Sequence, residues 1–314
     1  MGETLTIAGK EIRSILRSRR FLLGFLLTIL LSITGAYESF LTHRKQIELY
    51  GKGEGIEPTS LSAFSSSVWI VSNAMLPFLS IAISFDTIVR ERKTGTMQLF
   101  LARSISRVSI VIGKFLGGLA AVSIVSLSAV LIAGGLMIAL IGSFSIEELA
   151  RITAFTGMLL MYVSFWISIS ILISSVANSL SSSLFFSIFL LVSFSAWYAT
   201  SVALSNLLAP LPSYRIVGDP WFGAISDLRG SIAGYINWLS PSAVFVEGAS
   251  ALLNPMIDAP PFTSMTAQPL PLDIFVTLKN IWPCFSAIVC MLVATLTVSC
   301  LILSMRGVEV EEKA

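Results

Sequence analysis

The sequence predicts an all-α integral membrane protein with six transmembrane helices, and three observations support this fold class. Hydrophobic residues make up 55% of the 314 positions and charged residues only 12%, whereas soluble domains carry about 25% charged residues. The mean hydropathy is +0.86. Apolar runs long enough to cross a bilayer recur along the chain, separated by polar segments. Together these observations exclude a soluble globular domain.

Residues 1–20 are predicted to form an amphipathic interfacial helix. From Leu5 to Leu16 the apolar side chains recur on one helical face, while Lys10 and Arg13 lie on the opposite face. Such a helix is expected in the headgroup plane of the membrane, with its cations on anionic lipid. The alternative is an extension of the first span, which would leave the apolar face in water.

Six apolar runs have the length of transmembrane helices. They comprise residues 21–37, 68–85, 110–141, 152–176, 183–208 and 281–303. A polar loop is expected at residues 43–60, and Glu147, Glu148 and Arg151 are expected in a short turn before the fourth span. Pro77 is expected to kink the second span, because proline lacks the amide hydrogen that the helix needs there.

Specific contacts are expected where the second and third spans begin or end. Asp86 precedes Arg90 by one helical turn, a spacing that predicts an ion pair. Gly113 and Gly117 would permit close packing of another helix against the third span. Lys114, between these glycines, is expected to extend its side chain to the membrane surface.

The distribution of basic residues places both termini in the cytoplasm. With that orientation the cytoplasmic segments hold 13 of the 20 Lys and Arg residues and the external ones hold 7. The six-span domain then covers residues 21–305, with a cytoplasmic loop at 86–109 and an external segment at 209–280. A cytoplasmic tail follows at 306–314. Most of the 12 prolines lie in the external segment, which we therefore expect to form short helices on the outer membrane face.

The sequence offers no catalytic or metal-binding constellation. It contains no phosphate-binding P-loop, no HExxH motif and no GxSxG motif. Cys284, Cys290 and Cys300 match no metal-ligand spacing and are interpreted as small buried side chains. We therefore predict a non-catalytic membrane protein that itself binds no cofactor, metal ion or nucleic acid.

Hydroxyl side chains supply most of the polarity of the spans. Apart from Lys114, the six runs contain no Asp, Glu, Lys, Arg or His, which disfavours an ion-coupled carrier. Serines cluster in the fourth and fifth runs, where they mark either helix contacts or a weakly polar pathway. The candidates for pathway lining are Ser187, Ser193, Ser195 and Trp197.

The strongest functional signal lies between the second and third spans. Residues 85–114 carry six cations against two acids. Within them, residues 97–102 are predicted to form a short apolar helix, preceded by Gly95 and followed by Arg103. We interpret this segment as a docking element for a soluble partner on the cytoplasmic face.

The motifs of this loop resemble those of ABC-2-type transporter permeases. ERKTGT at 91–96, RSISR at 103–107 and GKF at 113–115 surround the short helix in the order found in that family. NWLSPS at 237–242 is similar to a segment that many members carry between the fifth and sixth spans. The predicted elbow helix, six spans and cytoplasmic termini also match the family.

The resemblance implies that the short helix is a coupling helix and that the chain is the permease subunit of an ABC exporter in a prokaryotic plasma membrane. Two permease chains, identical or different, would form the pathway, and two ATP-binding subunits carrying ATP and Mg would dock beneath them. The implied docking residues are Glu91, Gly95, Thr96, Met97, Phe100, Leu101, Arg103 and Arg107. A second, smaller contact is implied at Asn178, Ser179 and Leu180.

Two other function classes remain as alternatives. An ion-coupled secondary carrier would need charge near the bilayer midplane. An ABC-type mechanical transducer or scaffold that acts on envelope components would usually carry a large folded external domain. The substrate is open as well, although apolar spans with scattered hydroxyl groups favour a hydrophobic or amphipathic molecule.

Overall fold

The computed structural model describes residues 2–51, 59–95, 106–209, 220–254, 257–258, 266–267 and 273–311. Its α-helices are α1 (Gly2–Leu16), α2 (Arg19–Gly51), α3 (Ser60–Ile70), α4 (Leu76–Ser84), α5 (Thr87–Lys93), α6 (Arg107–Leu140), α7 (Ile146–Val176), α8 (Leu180–Ser195), α9 (Trp197–Leu208), α10 (Pro220–Asn237), α11 (Pro241–Leu253) and α12 (Ile274–Glu311). A π-helical turn, Val71–Met75, joins α3 to α4. Two short strands, Ile257–Asp258 and Thr266–Ala267, pair antiparallel. Nearly all of the described chain is therefore helical, as the sequence predicts.

Five stretches of helix have the length and apolarity to cross a membrane. They are Arg19–Leu49, Ser60–Lys93, Arg107–Leu140, Ile146–Val176 and Ile274–Met305. The consecutive helices α8 and α9 supply a sixth span if they are taken together. These five or six stretches, counted over the described residues, confirm a multi-pass membrane protein. The fifth predicted span differs in one respect, because it consists of two helices separated at Ala196.

Helix α2 is longer than the first predicted span. It continues to Gly51, so the prediction of a polar loop from residue 43 onward is wrong as far as residue 51. The segment HRKQIELY at 43–50 consists mostly of strong helix formers and contains neither glycine nor proline, which explains the extension. The polarity of these residues indicates that the apolar run has ended, but it does not indicate where the helix ends.

Helix α7 begins before the fourth predicted span, and a capping box marks its first turn. The Ser145 amide donates to Glu148 Oε2 at 2.7 Å, and the Glu148 amide donates to Ser145 Oγ at 3.2 Å. The two residues have the S-x-x-E spacing of this motif. The predicted turn at Glu147, Glu148 and Arg151 is therefore wrong, since these residues form the start of the helix.

The irregularity expected at Pro77 is a π-helical turn. Val71–Met75 forms this turn, and Pro77 follows as the second residue of α4. Proline cannot donate to the carbonyl four residues earlier, so the regular hydrogen-bond ladder is interrupted there. The Ser72 hydroxyl donates to the Val68 carbonyl at 2.8 Å within the same segment.

The chain divides into two compact units. Unit 1 comprises residues 1–143, 159–191 and 289–314, and unit 2 comprises residues 144–158 and 192–288. Helices α1 to α6 belong to unit 1, and α9, α10 and α11 belong to unit 2. Helices α7, α8 and α12 contribute residues to both. The predicted cytoplasmic loop, residues 86–109, is called the basic loop and belongs to unit 1.

In unit 1, helix α1 packs along α6 over two glycines. A Cβ added at Gly113 would lie 2.8 Å from Ile7 Cβ, and one added at Gly117 would lie 2.6 Å from Glu11 Cβ. Carbon atoms do not approach this closely, so only glycine lets the two helices come together here. Ile7 and Ala8 are accordingly buried, each 6% exposed. Part of the apolar face of α1 is thus covered by α6, whereas the sequence predicts that this face lies against lipid.

Replacing Gly117 with valine is expected to separate α1 from α6 and to lower the free energy of unfolding by about 1–3 kcal/mol, a typical cost of overpacking. Thermal unfolding in detergent micelles measures the loss. Gly135→Val in the same helix is the matched control, because a Cβ added at Gly135 meets nothing within 4 Å. Equal stability of the two variants would contradict the packing of α1 against α6.

In unit 2, a buried arginine joins three helices. Arg151 on α7 is 1% exposed, and its guanidinium donates to Glu147 Oε1 at 3.0 Å. It also donates to the Leu252 carbonyl on α11 and to Thr277 Oγ1 on α12, each at 3.4 Å. These contacts pack α11 against its neighbours in this unit. Helices α10 and α11 lie between the fifth and sixth predicted spans in the sequence, and their position on the outer membrane face stays a prediction.

Glu247 on α11 gives unit 2 a pH-dependent contribution to stability. Burial raises the pKa of its carboxyl to about 7 from an ordinary value of 4.5. The folded state then holds the proton more tightly than the unfolded state, so this contribution is lost as the pH rises from 4.5 through 7. Replacing Glu247 with glutamine is expected to remove this loss of stability. At pH values above 7, the variant should therefore unfold at a higher temperature than the unaltered protein. An unchanged pH dependence in the variant would count against this assignment.

Candidate functional site

Both ends of the basic loop are helical and belong to unit 1. Helix α5 ends at Lys93, and Gly95 follows with a φ of 73°, which glycine adopts at no steric cost. Helix α6 begins at Arg107, where the Ser106 hydroxyl accepts from the Ser109 amide at 3.1 Å and caps the first turn. Between these ends lie predicted docking residues that fall outside the described part of the chain, namely Thr96, Met97, Phe100, Leu101 and Arg103.

Lys114 is the centre of a buried charge cluster at the base of the basic loop. Its side chain, on α6, is 2% exposed. Its Nζ lies 3.0 Å from Glu11 Oε1 on α1 and 2.8 Å from Glu91 Oε1 on α5. The prediction that Lys114 extends to the membrane surface is wrong, because two carboxylates compensate its charge inside the protein. Lys114 thereby joins three helices.

Asp86 forms a second, more exposed cluster beside the first. Its Oδ2 accepts from Arg20 Nη1 at 2.9 Å and from Arg90 Nη1 at 3.3 Å, which confirms the predicted pair one helical turn apart. The two arginine side chains are 54% and 60% exposed, so each pair contributes at most about 1 kcal/mol. A cavity of about 230 Å³, lined by residues of both clusters, lies between them.

Helices α5 and α7 cap each other. Nη2 of Arg92 donates to carbonyls at the end of α7, those of Ser174 at 2.7 Å, Ser175 at 2.9 Å and Ala177 at 3.1 Å. In return, the Ser174 hydroxyl accepts from the first amides of α5, those of Ile88 at 3.1 Å and Val89 at 3.2 Å. The last carbonyls and the first amides of a helix lack intrahelical partners, so each helix supplies what the other needs.

Two of the predicted docking residues make contacts within unit 1. Glu91 is 13% exposed in its side chain and pairs with Lys114. Arg107 donates from Nη1 to the Ser304 carbonyl on α12 at 2.7 Å. These contacts orient the two ends of the basic loop, and contact with a partner stays a prediction for both residues.

The predicted second contact lies in the turn between α7 and α8. The Ser182 amide donates to Ser179 Oγ at 3.1 Å, and the Ser179 amide donates to Ser182 Oγ at 3.3 Å, so the turn is internally capped. Leu180 begins α8. Asn178 is exposed and shares with Arg92 the lining of a depression of about 180 Å³. The structure therefore places this turn beside α5, the helix with which the basic loop begins.

The candidate pathway residues lie in different environments. Ser187, in unit 1, is 1% exposed, and its hydroxyl donates to the Ser183 carbonyl of its own helix at 2.8 Å. Ser193 is half-buried and Ser195 is exposed, both in unit 2. Also in unit 2, Nε1 of Trp197 donates to a backbone carbonyl of α10 at 2.9 Å. A role in lining a pathway stays a prediction for these residues.

Comparison with known sequences identifies the class of membrane protein. A sequence profile described as "ABC-2 family transporter protein" matches residues 5–307, which is nearly the whole chain. The chain belongs to the ABC-2 transporter family. Membership confirms the resemblance carried by the basic loop, and it assigns the chain to the permease subunits of ABC transporters.

The ABC-2 chain is also similar to a Pseudomonas aeruginosa protein described as a probable ABC transporter permease protein, NosY. The two are 31% identical over 114 residues, which is 36% of this chain and 37% of the relative. The alignment thus covers just over a third of either protein. It agrees with the permease class that the family profile gives.

The residues that anchor the loop of this ABC-2 protein were missed by sequence analysis. Arg92 bonds to a carbonyl 82 positions away, and Lys114 pairs with Glu11 across 103 positions. Such separations leave no periodic signal in a sequence. The pair of Asp86 and Arg90, by contrast, is separated by one helical turn and could be predicted from spacing.

Proposed function

We propose that this ABC-2 protein is the transmembrane subunit of an exporter that is driven by ATP hydrolysis on a separate subunit. Two ATP-binding subunits, which carry the ATP and Mg, dock on the basic loops of two permease chains. The permease pair, a homodimer or a heterodimer, forms the pathway. The complex lies in the plasma membrane of a prokaryote, with both termini of the permease in the cytoplasm.

The observation that supports this proposal best is the anchoring of the basic loop to several helices of unit 1. Lys114 joins α5 to α1 and α6, and Arg92 joins α5 to α7. Ser183 on α8 also donates to the Phe85 carbonyl, at 2.6 Å, immediately before α5. A loop that served only to orient the chain in the membrane would not need these contacts. A loop that receives force from a docked partner would need them, because they transmit displacement to the helices.

The positions of the buried charges favour this function over an ion-coupled carrier. In the described part of the chain, the buried charged side chains are those of Asp86, Lys114 and Arg151. Each has an oppositely charged partner and lies within about two turns of a helix end. A carrier coupled to protons or ions keeps such groups near the bilayer midplane, where charge is retained only for function.

The polarity inside unit 1 supports a hydrophobic or amphipathic substrate for the proposed exporter. The buried polar positions of α7 in this unit are serines, including Ser168, Ser170 and Ser175. One of them already serves a helix contact, since the hydroxyls of Ser168 and Thr295 on α12 lie 2.6 Å apart. Hydroxyl groups of this kind compensate little of the free energy that a charged molecule loses when it leaves water.

Purification of the tagged chain from its native membrane in mild detergent tests the proposal. An ATP-binding subunit with a P-loop is expected to accompany it in stoichiometric amount. Hydrolysis of ATP by that complex, stimulated by candidate amphipathic compounds, would then be measured. Isolation of a stable chain without such a subunit would contradict the proposed coupling and favour a self-contained carrier.

A further inference from the structure

We propose that Arg92 is a positioning residue that makes α5 and the turn between α7 and α8 move as one body when a docked partner displaces the basic loop. This inference rests on the proposed function, because it assumes that ATP binding by a partner moves the loop. It goes beyond that function because it names the side chain that transmits the displacement of the loop to the fourth and fifth candidate spans.

The geometry of Arg92 fits a rigid link. Its Nη2 donates to carbonyls at the end of α7, at 2.7, 2.9 and 3.1 Å. Hydrogen bonds from a guanidinium are charge-assisted and stronger than those between neutral groups. The cation also lies at the carboxyl end of α7, where the helix dipole favours positive charge. Arg92 therefore holds α7 by its backbone, which cannot rotate away as a side-chain acceptor can.

A second link at the other end of α5 completes the attachment. The Ser174 hydroxyl accepts from the backbone amides of two buried residues, Ile88 and Val89. Arg92 lies in the last turn of α5 and these amides lie in its first turn. One contact would leave a short helix free to pivot, whereas contacts at both ends fix its orientation. Arg92 is thus the part of the attachment nearest to the predicted docking residues of the basic loop.

Removal of the guanidinium should release this link without unfolding unit 1. The depression of about 180 Å³ that Arg92 lines is also lined by Lys93, Ala177 and Asn178 and opens to the surface. Water in this depression can therefore reach the Ala177 carbonyl when it loses its donor. The link formed by Ser174 and the ion pair of Glu91 with Lys114 both remain in such a variant.

The experiment measures the distance between α5 and the start of α8 with and without nucleotide. Spin labels are attached at Thr94→Cys and Ser181→Cys, both exposed positions, after the native cysteines are replaced. The permease is studied in complex with its ATP-binding partner, without nucleotide and with a non-hydrolysable ATP analogue. In the otherwise unaltered protein, the distance is expected to stay the same, because the two labelled segments move together.

Arg92→Gln is expected to make that distance depend on nucleotide and to broaden its distribution, while the partner still binds and still hydrolyses ATP. Lys93→Gln, next in sequence and exposed, is the matched control and is expected to behave as the unaltered protein does. Arg92→Lys retains the charge but loses the planar fork, and an intermediate shift is expected. This variant also keeps the test informative if Arg92→Gln does not fold.

Several outcomes would overturn the inference. A distance that stays independent of nucleotide in Arg92→Gln would show that Arg92 is not the link. A distance that changes in the unaltered protein would show that α5 and the turn do not move together. Loss of partner binding in Arg92→Gln alone would assign Arg92 to docking. If the unaltered chain binds no ATP-binding subunit, the proposed function itself fails, a result distinct from the other three.

Discussion

Replacing Lys114 with methionine is expected to destabilise the protein strongly, by about 3–5 kcal/mol, the usual cost of breaking a buried ion pair. Lys114 is 2% exposed, and its partners Glu11 and Glu91 are 14% and 13% exposed. Without the ammonium group, the two carboxylates face each other with little access to water. The thermal midpoint in detergent micelles measures the effect, and accumulation of the variant in the membrane should fall with it.

A matched control and a rescue experiment distinguish the loss of this buried ion pair from the loss of a lysine in general. Lys93→Met removes an exposed lysine from the end of α5 and is expected to change the midpoint little. Adding Glu11→Gln and Glu91→Gln to Lys114→Met is expected to recover most of the lost stability, because no uncompensated charge remains. If Lys114→Met were as stable as Lys93→Met, the cluster would have no structural role.

Replacing Phe100 with aspartate is expected to abolish docking of the ATP-binding subunit while the helices remain folded. Phe100 lies outside the described residues, so this expectation rests on the sequence, which predicts an apolar coupling helix there. A few buried apolar anchors carry most of the affinity of a helix in a groove. Loss of one such anchor typically costs 2 kcal/mol or more, which corresponds to roughly a 30-fold or greater loss of affinity.

Equilibrium binding of the purified ATP-binding subunit to the permease in micelles measures this change. Leu239→Asp is the matched control, since it places the same charge at an apolar residue that is 67% exposed between α10 and α11, outside the candidate spans. The control is expected to bind with unaltered affinity, and both variants should show the thermal midpoint of the unaltered protein. Unaltered affinity in Phe100→Asp would refute docking through this residue.

Local patterns explain which parts of the fold could be predicted. The length of an apolar run and the charge around it predicted the multi-pass class and the position of nearly every candidate span. Helix ends were predicted less well, since α2 extends through the polar segment to Gly51 and α7 starts at Ile146. The capping box at Ser145 and Glu148 was present in the sequence, so the second of these ends could have been predicted.

The candidate site was predicted only in part. The sequence located the basic loop and the pair of Asp86 and Arg90, because both depend on residues that are close along the chain. It could not show that Glu91 pairs with Lys114 rather than remaining free for a partner. Hydrophobic and charge patterns describe which residues share a helical face, but they do not describe which other helix covers that face.

The sequence by itself determined the class of this protein, an ABC-2 permease with apolar spans and a basic loop between the second and third of them. Tertiary structure alone decided how that loop is held. Lys114 and Arg92 find partners that lie tens of positions away, on helices that meet them only after folding. The physical reason is that burial of a charge is favourable only where opposite charges or carbonyl groups converge, and that convergence is a property of packing.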